Sequence, residues 1–392
     1  MPTSLLKLYQ KPIRFHGLDA ARASAMLIGV FFHSAMAYKT RGGWLLAEHS
    51  RSVVFDFFCS IIHGFRMPLF FLIAGFFSQM TFHRYGTILF LKKRLVRIGL
   101  PYLIGCYTLV PLCNLLATHI ENGIWRSPFV GWTWRDAMGL GNVFHLWFLR
   151  DLLIFYVGAI MLSAVGRIFT PRIQMLPSRW FARLIQTWWG PVVLGMPVLL
   201  LFAINGLLSQ TVFESKISVD FWTDASFFIG GWLLHQQPNL IDKLIERSNA
   251  NFVATVFMTI SGWAFAFGIE NGSGIEVLLA VSKIYYAWYS TLFLIGIFSR
   301  YCNFHSSRVR YHVDASYWVY LVHLPIVFAM QNILVGFEFS AGVKFLMVSV
   351  VTMGACFLSY RLFVCDTFVG TVLIGKSSQT KTMFAPLQNI EN

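Results

Sequence analysis

Apolar residues run along this chain in blocks about as long as a bilayer is thick, separated by short polar segments. The blocks lie at roughly 18 to 38, 54 to 80, 98 to 118, 145 to 166, 190 to 208, 221 to 236, 251 to 269, 276 to 298, 314 to 335 and 342 to 363. Crossing about 30 Å of hydrocarbon takes about 20 apolar residues in a helix. Helices satisfy their own backbone groups there, so the pattern predicts an all-α fold, a polytopic transmembrane bundle of about ten spans. Residues 1–375 read as one integral membrane domain, and 376–392 as a polar, disordered cytoplasmic tail.

The composition agrees: of 392 residues 56% are hydrophobic and 12% charged, and the mean hydropathy is +0.62. A net charge of +14 would suit a nucleic-acid partner, but the placement of the charge argues otherwise. With the N-terminus inside, twenty of the 31 Lys and Arg fall in inside segments and six in outside loops. That bias is the positive-inside rule, and it places both termini in the cytoplasm of a multi-pass inner-membrane protein. The first apolar block is long enough to span and no cleavage site follows it, so it is read as a retained helix. The six cysteines have no disulfide or metal spacing and are read as packing residues. No metal site and no permanently bound cofactor is expected.

Polar residues inside the blocks are costly, and they mark candidate chemistry. The first block carries Asp19, Arg22 and His33. Eleven residues separate Arg22 from His33, which returns to nearly the same helix face about 16 Å further along. Gly29 lies between them on that face, and Asp19 is placed to pair with Arg22. The second block carries Asp56, Ser60, His63 and Arg66 on one stripe, with Pro68 expected to kink the helix beside Arg66. Arg94 and Arg97, three apart at a helix entrance, are read as paired forks for a phosphate. His145 and Trp147 open the fourth block near the outer face, and the adjacent Arg150 and Asp151 are expected to find partners on other helices. His323 and Pro325 lie near mid-membrane in the ninth. Trp44, Trp125, Trp132 and Trp134 suit the interfacial belt, and the Gly230-Gly231 pair permits close helix packing.

Five of these features recur in order: Arg22 and His33 in Arg-x10-His spacing, Phe65-Arg66-Met67-Pro68 through Phe77, Arg94-Leu95-Val96-Arg97 through Pro101, His145-Leu146-Trp147-Phe148-Leu149, and Ala315 through Pro325. Together they resemble the acyltransferase-3 family of integral membrane O-acyltransferases, most of all its branch that modifies osmoregulated periplasmic glucans. Two positions depart from the pattern, Ala74-Gly75 for Ser-Gly and His323-Leu324-Pro325 for His-His-Pro. The resemblance implies transfer of an acyl group, acetyl or succinyl in type, from cytoplasmic acyl-CoA to a hydroxyl of a periplasmic or cell-surface glycan.

On that footing Arg94 and Arg97 are expected to hold the CoA phosphates and Arg22 to line the passage for the pantetheine arm, with Gly29 leaving room for it. His33 is expected to be the general base, imidazole having the side-chain pKa nearest neutrality. Arg66, His145 and His323 are candidates for stabilising the oxyanion or binding the acceptor, with Trp147 as a sugar-stacking surface and Asp19 supporting Arg22. Lipid, acyl-CoA and a glycan are the expected partners. Buried charges with proline-broken helices also mark translocation pathways, so a transporter or flippase of a glycan or anionic small molecule is the rival reading.

Overall fold

The computed structural model describes residues 15–41, 44–46, 48–129, 133–137, 139, 141–208, 219–268 and 273–374. The expected tail from 376 to 392, and Trp132, lie outside these. The helices in chain order are α1 (His16–Ala35), α2 (Val53–Arg94), α3 (Leu100–Asn122), α4 (Trp134–Ala137), α5 (Trp147–Gly166), α6 (Pro171–Gln174), α7 (Leu176–Ile185), α8 (Gly190–Leu208), α9 (Val219–His235), α10 (Leu240–Glu246), α11 (Ser248–Gly268), α12 (Ser273–Tyr301), α13 (Ser307–Leu334), α14 (Ala341–Phe363) and α15 (Phe368–Ile374). The described residues contain no strand.

Six of the described helical stretches are long and apolar enough to cross a membrane, or seven if Pro171–Ile185 and Gly190–Ile204, bent by 117°, form one broken span. The longest, Val53–Glu121, contains two of the blocks expected to cross separately, 54 to 80 and 98 to 118. The blocks at 221 to 236 and 251 to 269 form α9 and α11 but are not in that set.

Helix α1 is the axis of the bundle, packing against α2, α12, α13 and α14. Its small residues Ala20, Ala21, Ala23, Ala25 and Gly29 let those helices approach. Outward-facing Leu and Val on α5 and α14, such as Leu162, Leu346, Val350 and Leu362, are exposed. They form an apolar coat suited to lipid.

Helix α2 packs most extensively against α9, and glycines on each allow it. A Cβ at Gly75 would lie 2.0 Å from the Phe228 carbonyl oxygen, and one at Gly231 only 1.7 Å from that of Leu72. The backbones touch directly, so the Gly230-Gly231 pair acts as its sequence suggests, through Gly231.

At 42 residues, α2 would extend about 63 Å, twice the hydrocarbon thickness. It leaves helical geometry at Gly86 (φ 71°, ψ 179°), a conformation that L side chains rarely adopt. α2 continues through Pro68 with helical dihedrals and breaks eighteen residues later, at Gly86. A second irregularity, a π turn over Leu95–Gly99, joins α2 to α3.

The segment after α1 is tied down by buried polar contacts. Asp56 accepts from the Thr40 hydroxyl at 2.6 Å and from the Thr40 and Arg41 amides at 2.9 and 3.0 Å. Lys344 on α14 pairs with Glu48 at 2.7 Å, their side chains 3% and 1% exposed. Ser50 accepts from the Ala341 amide at 3.0 Å.

Candidate active site

Three imidazoles meet where α1, α13 and the turn before α5 come together. The His33 and His323 rings are 5.2 Å apart between centroids, and His323 and His145 are 5.1 Å apart. His323 is therefore the middle member of a row.

Backbone chemistry fixes two of the three. Pro325 has no N–H, so the helical bond that residue 325 would make to the Leu321 carbonyl is missing. His145 supplies it, Nε2 donating to Leu321 O at 2.9 Å. The Tyr320 hydroxyl donates back to the His145 carbonyl at 2.6 Å. His145 sits in the short Phe144–Leu146 turn, where Phe144 has the left-handed φ of 46° that marks strained, over-determined backbone. His323 Nδ1 faces the carbonyls of Tyr320 at 2.7 Å and Val319 at 3.1 Å. A carbonyl only accepts, so His145 Nε2 and His323 Nδ1 carry the protons. His145 Nδ1 and His323 Nε2 are then the bare nitrogens, and both are buried without a partner, as is His33 Nδ1.

Arg66 reaches this row from α2. Its guanidinium lies 4.7 Å over the Phe32 ring and against Gly29, where a Cβ would come within 2.6 Å of Nη1. The room at Gly29, expected to accommodate a substrate arm, is occupied by Arg66. Among the described residues Arg66 is in no ion pair. His63, on the same stripe, stacks on Phe32 at 5.5 Å.

Trp44 packs on His33 at 5.7 Å. Its indole N–H donates to Gln331 Oε1 at 3.0 Å, and the Gln331 amide donates to the His33 and Ser34 carbonyls at 3.3 and 3.4 Å. The adjacent Asn332 bonds His119, on which Trp125 stacks at 4.0 Å.

The basic residues of the expected donor side form a second group around Phe77. Arg22 pairs with Asp19 at 3.1 Å, as their spacing suggests, and its guanidinium lies 5.5 Å over the Phe77 ring. Arg94 donates to the Phe77 carbonyl at 3.1 Å and to Thr81 Oγ1 at 3.2 Å, flanked by the Phe90 and Tyr156 rings. Arg97 is exposed on the π turn. The wider turn, closed by i→i+5 bonds, breaks the three-residue register. Arg94 is thus engaged by the Phe77 carbonyl and Thr81, while Arg97 stands exposed on the turn.

One other expectation changes. Arg150 and Asp151 pair with each other, Nε to Oδ1 at 3.0 Å, instead of with other helices. Trp147 packs on Phe71 and Phe148, at 6.5 and 6.4 Å, and makes no ring contact with the three imidazoles.

A family model described as an acyltransferase domain matches residues 15–361, a range that contains every residue of both groups. The chain belongs to the acyltransferase-3 family. Proteins called glucans biosynthesis protein C from Salmonella paratyphi B and Salmonella enteritidis PT4 are each 27% identical to it over 365 residues, covering 89% of this chain and 91% of theirs. No solved structure matches the chain significantly.

As a member of an acyltransferase family, the protein joins a buried imidazole row with an acid-free guanidinium beside it. Imidazole can move a proton and guanidinium can bind developing negative charge. Sequence reasoning missed Trp44, Gln331 and Tyr320 as neighbours of this row. Their one legible signal was Gln331, an uncharged polar residue deep in an apolar block. Among the described residues no group of His, Cys, Asp and Glu is arranged to hold a metal ion.

Proposed function

We propose that the protein moves an acyl group, acetyl or succinyl in type, from acyl-CoA at the cytoplasmic face to a hydroxyl of a periplasmic or cell-surface glycan. This reading makes it an acyltransferase acting on groups other than aminoacyl, with acyl-CoA as co-substrate and no resident cofactor. It keeps ten inner-membrane crossings, a 1–375 membrane domain, and a 376–392 tail in the cytoplasm with the N-terminus. The observation that carries it is the union of His33, His323, His145 and Arg66 in one site within an acyltransferase domain. The relatives' name supports a glucan as the acceptor.

In this mechanism the acceptor oxygen attacks the thioester carbonyl carbon while His33 takes the hydroxyl proton. The carbonyl oxygen becomes an oxyanion, which Arg66 stabilises as the nearby cation without a carboxylate. Collapse breaks the C–S bond, and His33 returns the proton to the CoA sulfur. Ester and free CoA leave. Arg22, Arg94 and Arg97 bind the donor's phosphates at the inner mouth, Arg94 after release from the Phe77 carbonyl, and Asp19 holds Arg22 in place. His33 has no carboxylate partner among the described residues and acts without one.

Purified protein in detergent, given labelled acetyl-CoA or succinyl-CoA and a glucan acceptor without any gradient, should form the ester. His33→Ala at normal abundance should abolish the product, and Arg94→Ala with Arg97→Ala should weaken donor binding. Full activity without His33, or glycan movement that needs a gradient and no acyl donor, would sink the proposal.

A further inference from the structure

The two bare nitrogens of the imidazole row restrict what can sit against them. His145 and His323 are 7% and 2% exposed, and each has already used its N–H on a backbone carbonyl, Leu321 O at 2.9 Å and Tyr320 O at 2.7 Å. In the neutral ring the remaining nitrogen can only accept. His145 Nδ1 and His323 Nε2 are therefore two buried acceptors without donors. A buried polar atom left in that state costs about 1–3 kcal/mol, so such atoms are filled by water or by a ligand.

That requirement is selective. A thioester carbonyl, a phosphate and a carboxylate present only acceptor oxygens and cannot satisfy either nitrogen. Nor can these two rings, so fixed, donate to an oxyanion, which removes one of the two roles expected for them and leaves it to Arg66. A hydroxyl can donate, and a sugar ring carries several side by side. The rings are adjacent, with centroids 5.1 Å apart, and His323 is 5.2 Å from His33. The row therefore places two hydroxyl-reading nitrogens next to the proposed base.

We propose that His145 Nδ1 and His323 Nε2 accept hydrogen bonds from hydroxyls neighbouring the one that is acylated, so that the site selects a polyhydroxy ring over a simple alcohol. The assignment rests on the acyltransferase reading for the identity of the third hydroxyl, but the recognition itself needs no chemistry to occur. Donation of Nε2–H and Nδ1–H to α13 carbonyls makes His145 and His323 specificity-determining residues whose tautomers are set by the fold. Their recognition is strict because a missing hydroxyl leaves a buried acceptor unfilled.

The test uses the full chain in detergent micelles and measures binding of methyl β-D-glucopyranoside against its 2-, 3-, 4- and 6-deoxy analogues by competition saturation-transfer NMR. At least one deoxy analogue should bind about tenfold more weakly than the parent, the loss of one hydrogen bond to a buried acceptor. His323→Leu should weaken the parent by a similar factor and erase that preference. His323→Gln, whose amide oxygen stands near the position of Nε2, should restore it. His145→Leu, made together with Pro325→Ala so that the backbone amide regained at position 325 can serve the Leu321 carbonyl, should erase a preference for a different hydroxyl. If a variant fails to fold, the analogue series on the unaltered protein decides alone. Equal binding of all analogues, no binding of any of them, or an unchanged preference in the Leu variants would overturn the assignment, with the nitrogens then holding water only. Acyl transfer measured on the same samples separates the two claims. Transfer without hydroxyl preference overturns this assignment and leaves the acyltransferase reading intact, whereas preference without transfer does the reverse.

Discussion

Replacing His145 by Phe should destabilise the protein mainly through a carbonyl on another helix. The ring volume is nearly kept, so contacts with Tyr320 at 5.5 Å and His323 at 5.1 Å persist. The bond from the Tyr320 hydroxyl to the His145 carbonyl is also untouched. What disappears is the 2.9 Å bond to Leu321 O, which Pro325 leaves without its helical donor. An orphaned buried carbonyl costs about 1–3 kcal/mol in water-soluble proteins. Side-chain hydrogen bonds between membrane helices average about 0.6 kcal/mol and reach about 1.7. Taken together these place the loss at about 1–2 kcal/mol. Pro325→Ala restores an N–H where the helix needs one, and a carbonyl oxygen has room for two donors, so alone it should be nearly neutral. In the double variant the amide at 325 fills Leu321 O, and the damage should shrink by about 1 kcal/mol relative to the sum of the singles. Reversible unfolding in mixed micelles, followed by tryptophan fluorescence for all four proteins, measures that coupling. Additivity within about 0.3–0.5 kcal/mol would refute the idea that His145 substitutes for the missing amide.

Three further outcomes follow from the packing. Gly231→Ala sets a methyl 1.7 Å from the Leu72 carbonyl oxygen, so it should cost about 3 kcal/mol or more and lower the yield of folded protein in membranes. Lys344→Met strands Glu48 in a buried site and should destabilise by about 3–5 kcal/mol, while adding Glu48→Leu should recover most of that in the same unfolding assay. The Thr133 hydroxyl and amide hold the Asp136 carboxyl below its usual value. A depressed folded-state value means the turn is stabilised above about pH 3.9 and loosens as pH falls through the lowered value. Hydrogen exchange at the Thr133 amide should report this, and protection unchanged down to pH 2 would contradict it.

The features legible in the sequence were those set by spacing along one helix. Asp19 and Arg22 lie three apart and pair, and the double glycine of α9 does admit α2. The second class depends on chain-distant neighbours, which periodicity cannot supply. Arg150, by contrast, pairs with its own chain neighbour, its long arm folding back on Asp151 although their Cα–Cβ bonds diverge. Lys344 and Glu48 are 296 residues apart. The π turn at Leu95–Gly99, which follows Arg94 and contains Arg97, has no periodic signature in the sequence. Pro325 was visible as a helix breaker, but the identity of the group that answers it, His145, is a tertiary fact.

The contact of α2 with α9 has a mechanical implication. With carbonyls of each helix set into the bare positions of the other, neither can slide or rotate by even a fraction of a turn without collision. The two behave as one beam, and α2 delivers Arg66 to the site from that beam. Arg66 therefore reaches the three imidazoles from a helix whose register is set by direct backbone contact with α9.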